Sequence, residues 1–574
     1  MVAKKAQIIG TNKSVDVADI NINKGEDGVD RYVLDSADKI VRWIKYKFDE
    51  QSKMAIPDSD FDSFVFQYID LSNCILSTFS RDSTPVMTNL CEIVITNSIL
   101  SDCFVFNGYG NGYTMEVKKE IICVNSIIYS AFFHQTKFHE RVNFSKTRFL
   151  GNASFGGSLF EKNVYSQESI FSGNFDFSKC IFKGDFILSK AVINVFQVHF
   201  ENSIFKNQFK AQEITFNNYD KEKDLSLFEN SYISFNGAEF FGEVDLSNNN
   251  FFLPCFFKNT KFLSSTNLQN VNFSRGCLFD SSEINGNILI SVANSIPDHQ
   301  NINSINLLSF RNVDLSARVD IELSKIENLN GQFMKIGENG LFRIYESQIK
   351  SIDLTAMTNQ GTIFFEDNQE NILELSFKSV INKGIIEVEN TVIKMLGGRK
   401  TARILKDSAT KSGNNIDALY YKAKEMKLYN KELKGKYKKA LNDLKEKRSI
   451  TSIFHFFITI PIWETLLLKL NTCSNKNGLS WMRGVCFTIF TALAFYILIN
   501  YFGLEQQLFV FDWRFTGFGV VLKGYIKIIN VFNFSSKLES ANLTGYGEAL
   551  LFFSKIFISY GIYQTISAFR KYGK

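Results

Sequence analysis

Few residues in this chain are placed to do chemistry. Its five histidines are His134, His139, His199, His299 and His455, and none stands at a metal-ligand spacing with another His, Cys or acid. The nine cysteines form no CxxC or zinc pattern. Cys74, Cys103, Cys123, Cys180 and Cys277 instead fall where the surrounding pattern wants a small inward residue, which reads as buried free thiols in a reducing compartment. No phosphate loop, nucleophile elbow or dinucleotide fingerprint is present. Catalysis, a cofactor and a metal site are therefore not expected. Two features near the C-terminus could still do work. Lys555 and Gln564 are polar groups inside an apolar run, where an unpaired charge is costly, and Thr544, Gly545, Tyr546 and Gly547 lie directly before that run.

The elements that would position these groups are apolar helices. Residues 484–504, GVCFTIFTALAFYILINYFGL, are uncharged and about as long as the roughly 20 residues a spanning helix needs. Trp481 and Arg483 stand before it as an interface anchor and a charge. Residues 549–569 make a second predicted span, closed by Arg570, Lys571 and Lys574. Basic residues at the outer ends of both spans predict cytoplasmic termini. Residues 450–463 are apolar but too short to cross, and predict an interfacial segment within a membrane domain of 450–574.

Before this domain, residues 397–449 read as a linker followed by a basic amphipathic helix. Between residues 416 and 448, eleven Lys or Arg stand against five acids, a surplus of 6 in a chain whose net charge is +5. Lys431, Lys434, Lys436, Lys438, Lys439, Lys445, Lys447 and Arg448 are the candidate contacts to anionic lipid. Each is worth about 1 kcal/mol close to such a surface.

The remainder is repetitive. Residues 136–190 divide into blocks of eleven: TKFHERVNFSK, TRFLGNASFGG, SLFEKNVYSQE, SIFSGNFDFSK, CIFKGDFILSK. Phe138, Phe149, Phe160, Phe171 and Phe182 hold the third position, with a second apolar ring at Phe144, Phe155, Phe177 and Leu188 that Ser166 interrupts. Large and small residues alternate inward, which is strand periodicity. Strands this short must stack on neighbours in a solenoid. A charged insertion at residues 217–230 breaks the pattern, and Phe240, Phe251, Phe262 and Phe273 then resume it. From about Ser304 to Leu396 the repeats become sparser and richer in Ile. At the other end, residues 1–56 predict a capping helix near Leu34–Met54, with Ile40, Val41, Ile44 and Phe48 on one face and Asp35 or Ser36 as its cap. The first twenty-five residues hold no apolar core of signal-peptide length, so the solenoid is expected in the cytoplasm.

Residues 126–140 (SIIYS, AFFHQ, TKFHE) resemble the pentapeptide-repeat family, whose unit is a small residue, a polar residue, Leu or Phe, and two polar residues. The resemblance implies a mainly β fold: a right-handed, four-sided parallel β-helix over residues 57–396, followed by the α-helical membrane domain. Residues 415–574 resemble the membrane module that follows such repeats in some bacterial proteins. Gly545, Tyr546 and Gly547, with Glu548, are similar to the potassium-channel filter, although Leu543 and Thr544 stand where that filter has Thr and Val.

Together these readings predict a non-enzymatic bacterial inner-membrane protein, with the solenoid as sensor or scaffold. Two spans cannot enclose a water path alone, so conduction would require a homo-oligomer, and a leak of that kind would suit a stress or phage-defence effector. A membrane-tethered scaffold binding a protein partner is the alternative. DNA mimicry, as in some members of the family, would need an acidic rod. This chain is near neutral outside its basic helix, so nucleic-acid or gyrase-type partners are not expected. Partners would be read by outward residues such as His139, Glu140, Arg148, Lys162 and Lys183.

Overall fold

A computed structural model describes residues 115–194, 197–216, 231–291, 305–368, 372–447, 462–505, 518–533 and 541–569, with shorter pieces before residue 115 and at 537–538. The chain forms two compact units, Met1–Met395 and Leu396–Lys574.

The first unit is a parallel β-solenoid. One turn runs through Thr136–Phe138, Val142–Asn143, Arg148–Phe149 and Ala153–Ser154. Leu159–Phe160 then pairs parallel with the first strand, Phe138 opposite Phe160. Two eleven-residue blocks therefore make one four-sided coil. One face is a 14-stranded sheet and another is 12-stranded. The other two faces are joined wherever a strand turns the corner, as Ile127–Phe132 does in pairing with both Arg148–Phe149 and Ala153–Ser154. Thirteen steps of about 4.8 Å give the longest face roughly 62 Å.

The third-position phenylalanines do not form a single column. Phe138, Phe160, Phe182, Phe205, Phe240 and Phe262 stack on one face, with ring centroids 4.7, 4.9, 4.9, 4.9 and 5.5 Å apart. Phe149 and Phe171 stack on the next, as do Phe251 and Phe273 further along. A third column runs from Phe133 through Phe155, Phe177, Phe200, Phe235, Phe257 and Phe279 to Phe310. The core is thus built of offset aromatic stacks, each adding to the burial of its rings.

The first residue of each block is small for a second reason besides fit. Ser169 Oγ donates to the Phe144 carbonyl at 2.6 Å, Ser203 Oγ to Phe177 at 2.6 Å and Thr260 Oγ1 to Phe235 at 2.9 Å, each 25 or 26 residues back. Cys180 takes the same position, its Sγ 3.1 Å from the Phe155 carbonyl. The last residue of each block is left-handed, as at Lys146 (φ 59°), Gly157 (73°), Glu168 (57°), Lys179 (58°) and Lys190 (59°). That conformation turns the corner between faces and explains why polar residues and Gly recur there.

The coil closes across the insertion, since Gln197–His199 pairs with Tyr232–Ser234 in register. Residues 217–230 lie outside the described residues. The Ile-rich stretch is regular rather than degraded: Arg318–Glu322, Leu341–Tyr345, Thr362–Glu366 and Ile385–Glu389 pair in unbroken parallel register. Aliphatic side chains replace most of the rings there, although Phe342 and Phe365 stay buried in the core, and the strands lengthen to five residues.

At the N-terminal end, Asp30–Leu34 extends the sheet by pairing with Cys74–Ser80, and its other edge is closed antiparallel by Ile22–Lys24. Residues 38–40, 42–43 and 46 are helical, with Ser36 Oγ accepting from Lys39 N at 3.3 Å. Ile40, Trp43 and Tyr46 are buried, and Trp43 packs 4.4 Å from Tyr32. Of the expected stripe, Val41, Ile44 and Phe48 lie outside the described residues.

The second unit is helical: α1 (Arg399–Lys411), α2 (Asn415–Lys447), α3 (Ile462–Asn475), α4 (Trp481–Phe502), α5 (Phe518–Ile529) and α6 (Gly545–Phe569). The expected linker is largely α1. Its buried stripe is Thr401, Ala402, Leu405, Ser408 and Ala409, and with only one large apolar residue among five it carries little helical signal. Residues 450–461 of the expected interfacial segment lie outside the described residues.

Candidate functional site

The polar groups singled out at the C-terminal end sit on a packed bundle of α4, α5 and α6. α4 and α6 are antiparallel: Trp481, at the start of α4, stacks 5.0 Å from Phe569 at the end of α6. Their crossing is built on small residues. A Cβ on Gly547 would fall 2.0 Å from the Gly503 carbonyl oxygen, and one on Gly561 would fall 2.4 Å from Thr488 Oγ1. One on Gly484 would meet Thr565 Oγ1 at 2.6 Å. Helix backbones approach this closely only where side chains are absent or short.

The Gly545–Gly547 segment is therefore not the carbonyl-lined loop that its similarity to a filter implies. It forms the first turn of α6, with its carbonyls committed to helical geometry. Thr544 caps the helix, its Oγ1 accepting from Gly547 N at 3.2 Å and donating to the Gly503 carbonyl at 3.2 Å. Tyr546 points outward, 82% exposed. Capping accounts for Thr544 and close packing for Gly547, while a Cβ on Gly545 would meet nothing within 4 Å.

Lys555 neither lines an opening nor reaches toward the helix end. It is 4% exposed, and its Nζ donates to the carbonyls of Lys527, Ile528 and Asn530 at 3.0, 3.0 and 2.6 Å. These carbonyls lie at the C-terminal end of α5, a twelve-residue helix that returns between the two longer ones. Ile528 packs in one core with Ala492, Tyr496, Ile499, Leu551 and Ile558. Tyr525 Oη donates to the Ile489 carbonyl at 2.9 Å. α5 carries no spanning signal in the sequence, because twelve residues with two lysines are too short and too charged for a span.

Gln564, expected beside Lys555, lies nine residues along α6 and makes a separate contact. Asn475 Nδ2 donates to its side-chain oxygen and, at 3.3 Å, to its backbone carbonyl. This clamps the end of α3 to α6. The helix stripe that could have revealed these contacts is Gly484, Thr488, Ala492, Tyr496 and Asn500, buried at intervals of four.

In α2, Lys431, Lys434, Lys436, Lys438 and Lys439 are exposed. Lys445 and Lys447 fall in its last turns, and their side chains, with Arg448, lie outside the described residues. The buried half of α2 faces a different charge problem. The Glu425 carboxylate meets Arg403 and Lys406, each at 3.0 Å, and Arg399 at 3.7 Å. Burial alone would push this carboxyl up, but hydrogen bonds and charge from Lys406 and Arg403 hold it below its ordinary value. Tyr429 Oη reaches Glu464 of α3 at 2.6 Å, so α2 and α3 are joined as well.

On the solenoid, His139 and Lys183 meet at Glu161: Nδ1 at 3.0 Å and Nζ at 3.2 Å. Lys137 lies at 3.8 Å, and His139 Nε2 is 3.5 Å from Glu116. Burial would raise the Glu161 pKa, yet Lys183, Lys137 and His139 bring it below the usual range. Arg148, 22 residues from Ile170 in the next coil, belongs to another face. Cys123, Cys180, Cys255 and Cys277 are buried free thiols, each pushed well up by burial. Among the described residues no three His, Cys, Asp or Glu side chains gather to hold a metal.

Fold and site define a class: a parallel β-solenoid followed by a helical unit in which α4 and α6 are long and apolar enough to cross a membrane. Residues 125–165 match the family model of pentapeptide repeats (9 copies), and this segment lies within the solenoid. No curated protein and no solved structure gives a match.

Proposed function

We propose that this protein is a membrane-anchored, non-enzymatic scaffold. The solenoid presents its outward side-chain columns to a protein partner, α4 and α6 cross a bilayer, and the exposed lysines of α2 lie against anionic headgroups. The observation that carries this reading is the outer surface of the two long helices. Phe490, Phe502, Phe552, Phe553, Ile566 and Tyr563 are 67, 71, 57, 52, 55 and 65% exposed. An apolar surface this continuous is costly in water and natural in lipid. Buried free thiols along the solenoid support a reducing, cytoplasmic location. Alkaline carbonate extraction tests the anchor: the full chain should stay in the membrane pellet, and release into the supernatant would end the reading.

A second reading starts from the same exposed apolar surface of α4 and α6. Packed against further copies of the chain, it would let a homo-oligomer enclose a path for ions, making the protein a depolarising effector of stress or phage defence. Ion flux through liposomes carrying the purified oligomer tests this version. A strictly monomeric particle without flux removes it and leaves the scaffold.

A further inference from the structure

A helix leaves its last carbonyls without intrahelical partners, and those of a helix ending inside a packed unit must be met by something. At the end of α5 that something is an ammonium group. The Lys527, Ile528 and Asn530 carbonyls converge on Lys555 Nζ at 3.0, 3.0 and 2.6 Å. An ammonium has three N–H donors and no acceptor, so the match is complete in number and sign, and no donor remains that would call for a carboxylate. The helix end is negative, which adds to the attraction. Around it Ile528 and Ile558 are fully buried and Leu551 nearly so, and the bond to the Ile528 carbonyl is wholly buried, while those to Lys527 and Asn530 lie at the edge of this core.

We propose that the end of α5 is a built site for a primary ammonium group, which the chain fills with Lys555, and that Lys555 is the positioning residue that seats this half-length helix between α4 and α6. The site selects for N–H donors converging on one point. A guanidinium is a planar fork and cannot direct three bonds from one nitrogen. A quaternary ammonium carries the charge without any donor.

The test is chemical rescue in the full chain, purified in detergent. Lys555→Ala should lower the thermal midpoint. Added n-propylammonium, which replaces the deleted part of the side chain, should recover at least half of the loss with a saturating dose response while leaving the unsubstituted protein unmoved. Tetramethylammonium at equal ionic strength should recover none, and Lys555→Arg should stay low. The proposal is overturned if the two amines act alike, or if Lys555→Met melts with the unsubstituted protein. Should Lys555→Ala fail to fold, amine acylation of the unsubstituted chain followed by peptide mass mapping decides. Lys555 is expected to react at least tenfold more slowly than exposed Lys523, and equal rates overturn the site. None of these readouts needs a bilayer, so failed rescue beside intact membrane retention would remove this inference alone.

Discussion

The solenoid and the helical unit solve the same problem, burying backbone against backbone, by opposite means. In the solenoid the core contacts are copied from coil to coil. The glycine column Gly340, Gly361 and Gly384 shows it: a Cβ on Gly361 would fall 2.1 Å from the Gly340 oxygen, and one on Gly384 would fall 2.0 Å from the Gly361 oxygen. In the helical unit each close approach occurs once, Gly503 against Gly547 or Gly561 against Thr488. Copied contacts make stability a sum over neighbours. Contacts made once make it depend on a few residues at a time. A defect should therefore stay local in the first unit and spread through the second.

The largest expected effect tests the local half of that contrast. Phe177 stacks between Phe155 at 4.4 Å and Phe200 at 5.8 Å. Phe177→Ala should cost about 3–5 kcal/mol in denaturant unfolding, with hydrogen-exchange protection lost in the adjoining coils only. Loss along the whole solenoid would contradict the nearest-neighbour account. Gly547→Val tests the other half. Its side chain meets the Gly503 backbone, which cannot step aside, and overpacking of this kind costs about 1–3 kcal/mol. Protection should fall across α4, α5 and α6 together, and a change confined to the first turn of α6 would break the comparison.

Glu425→Gln should have a smaller effect that depends on pH. The folded carboxyl lies below its ordinary value of 4.5. Its contribution is therefore fully present above that value and is lost as pH falls through the lowered folded value. The variant should melt earlier at pH 7, and the gap should narrow as the pH falls below 4.5 and through the lowered folded value. A gap that stays constant over that range would remove the ion cluster as its cause. Ser169→Ala is the smallest. It deletes the hydroxyl bond to the Phe144 carbonyl for about 1 kcal/mol, and Ala191, buried at the equivalent position, shows that the methyl group fits. A loss well above that figure would mean the hydroxyl does more than close one carbonyl.

The same contrast decides what could be read in the sequence. The phenylalanine spacing, the small residues two positions before and the return of the pattern after residue 231 are periodic, and periodicity survives individual exceptions such as Ser166, which is buried where a large side chain was due. The split of the third-position rings between two faces follows from counting two blocks per coil. It needed the observed register, Phe138 against Phe160 rather than Phe149. The helical unit offered no such redundancy. The two spans announce themselves by length and hydropathy. α1 hides behind small and charged residues, and α5 is too short to stand out. The meaning of Lys555 depends on where α5 ends, which no local pattern encodes, and Gly545–Gly547 spells a filter while folding as a helix start.

The central claim, that α4 and α6 face lipid, has a built-in reporter. Cys486 lies on α4 and is exposed on its surface, while Cys473 is exposed on α3 and Cys123, Cys180, Cys255 and Cys277 are buried in the solenoid. In native membranes treated with a water-soluble maleimide and mapped by mass spectrometry, Cys473 should be modified and Cys486 spared until detergent is added. Equal modification of Cys486 and Cys473 in intact membranes would place α4 in water and contradict the account.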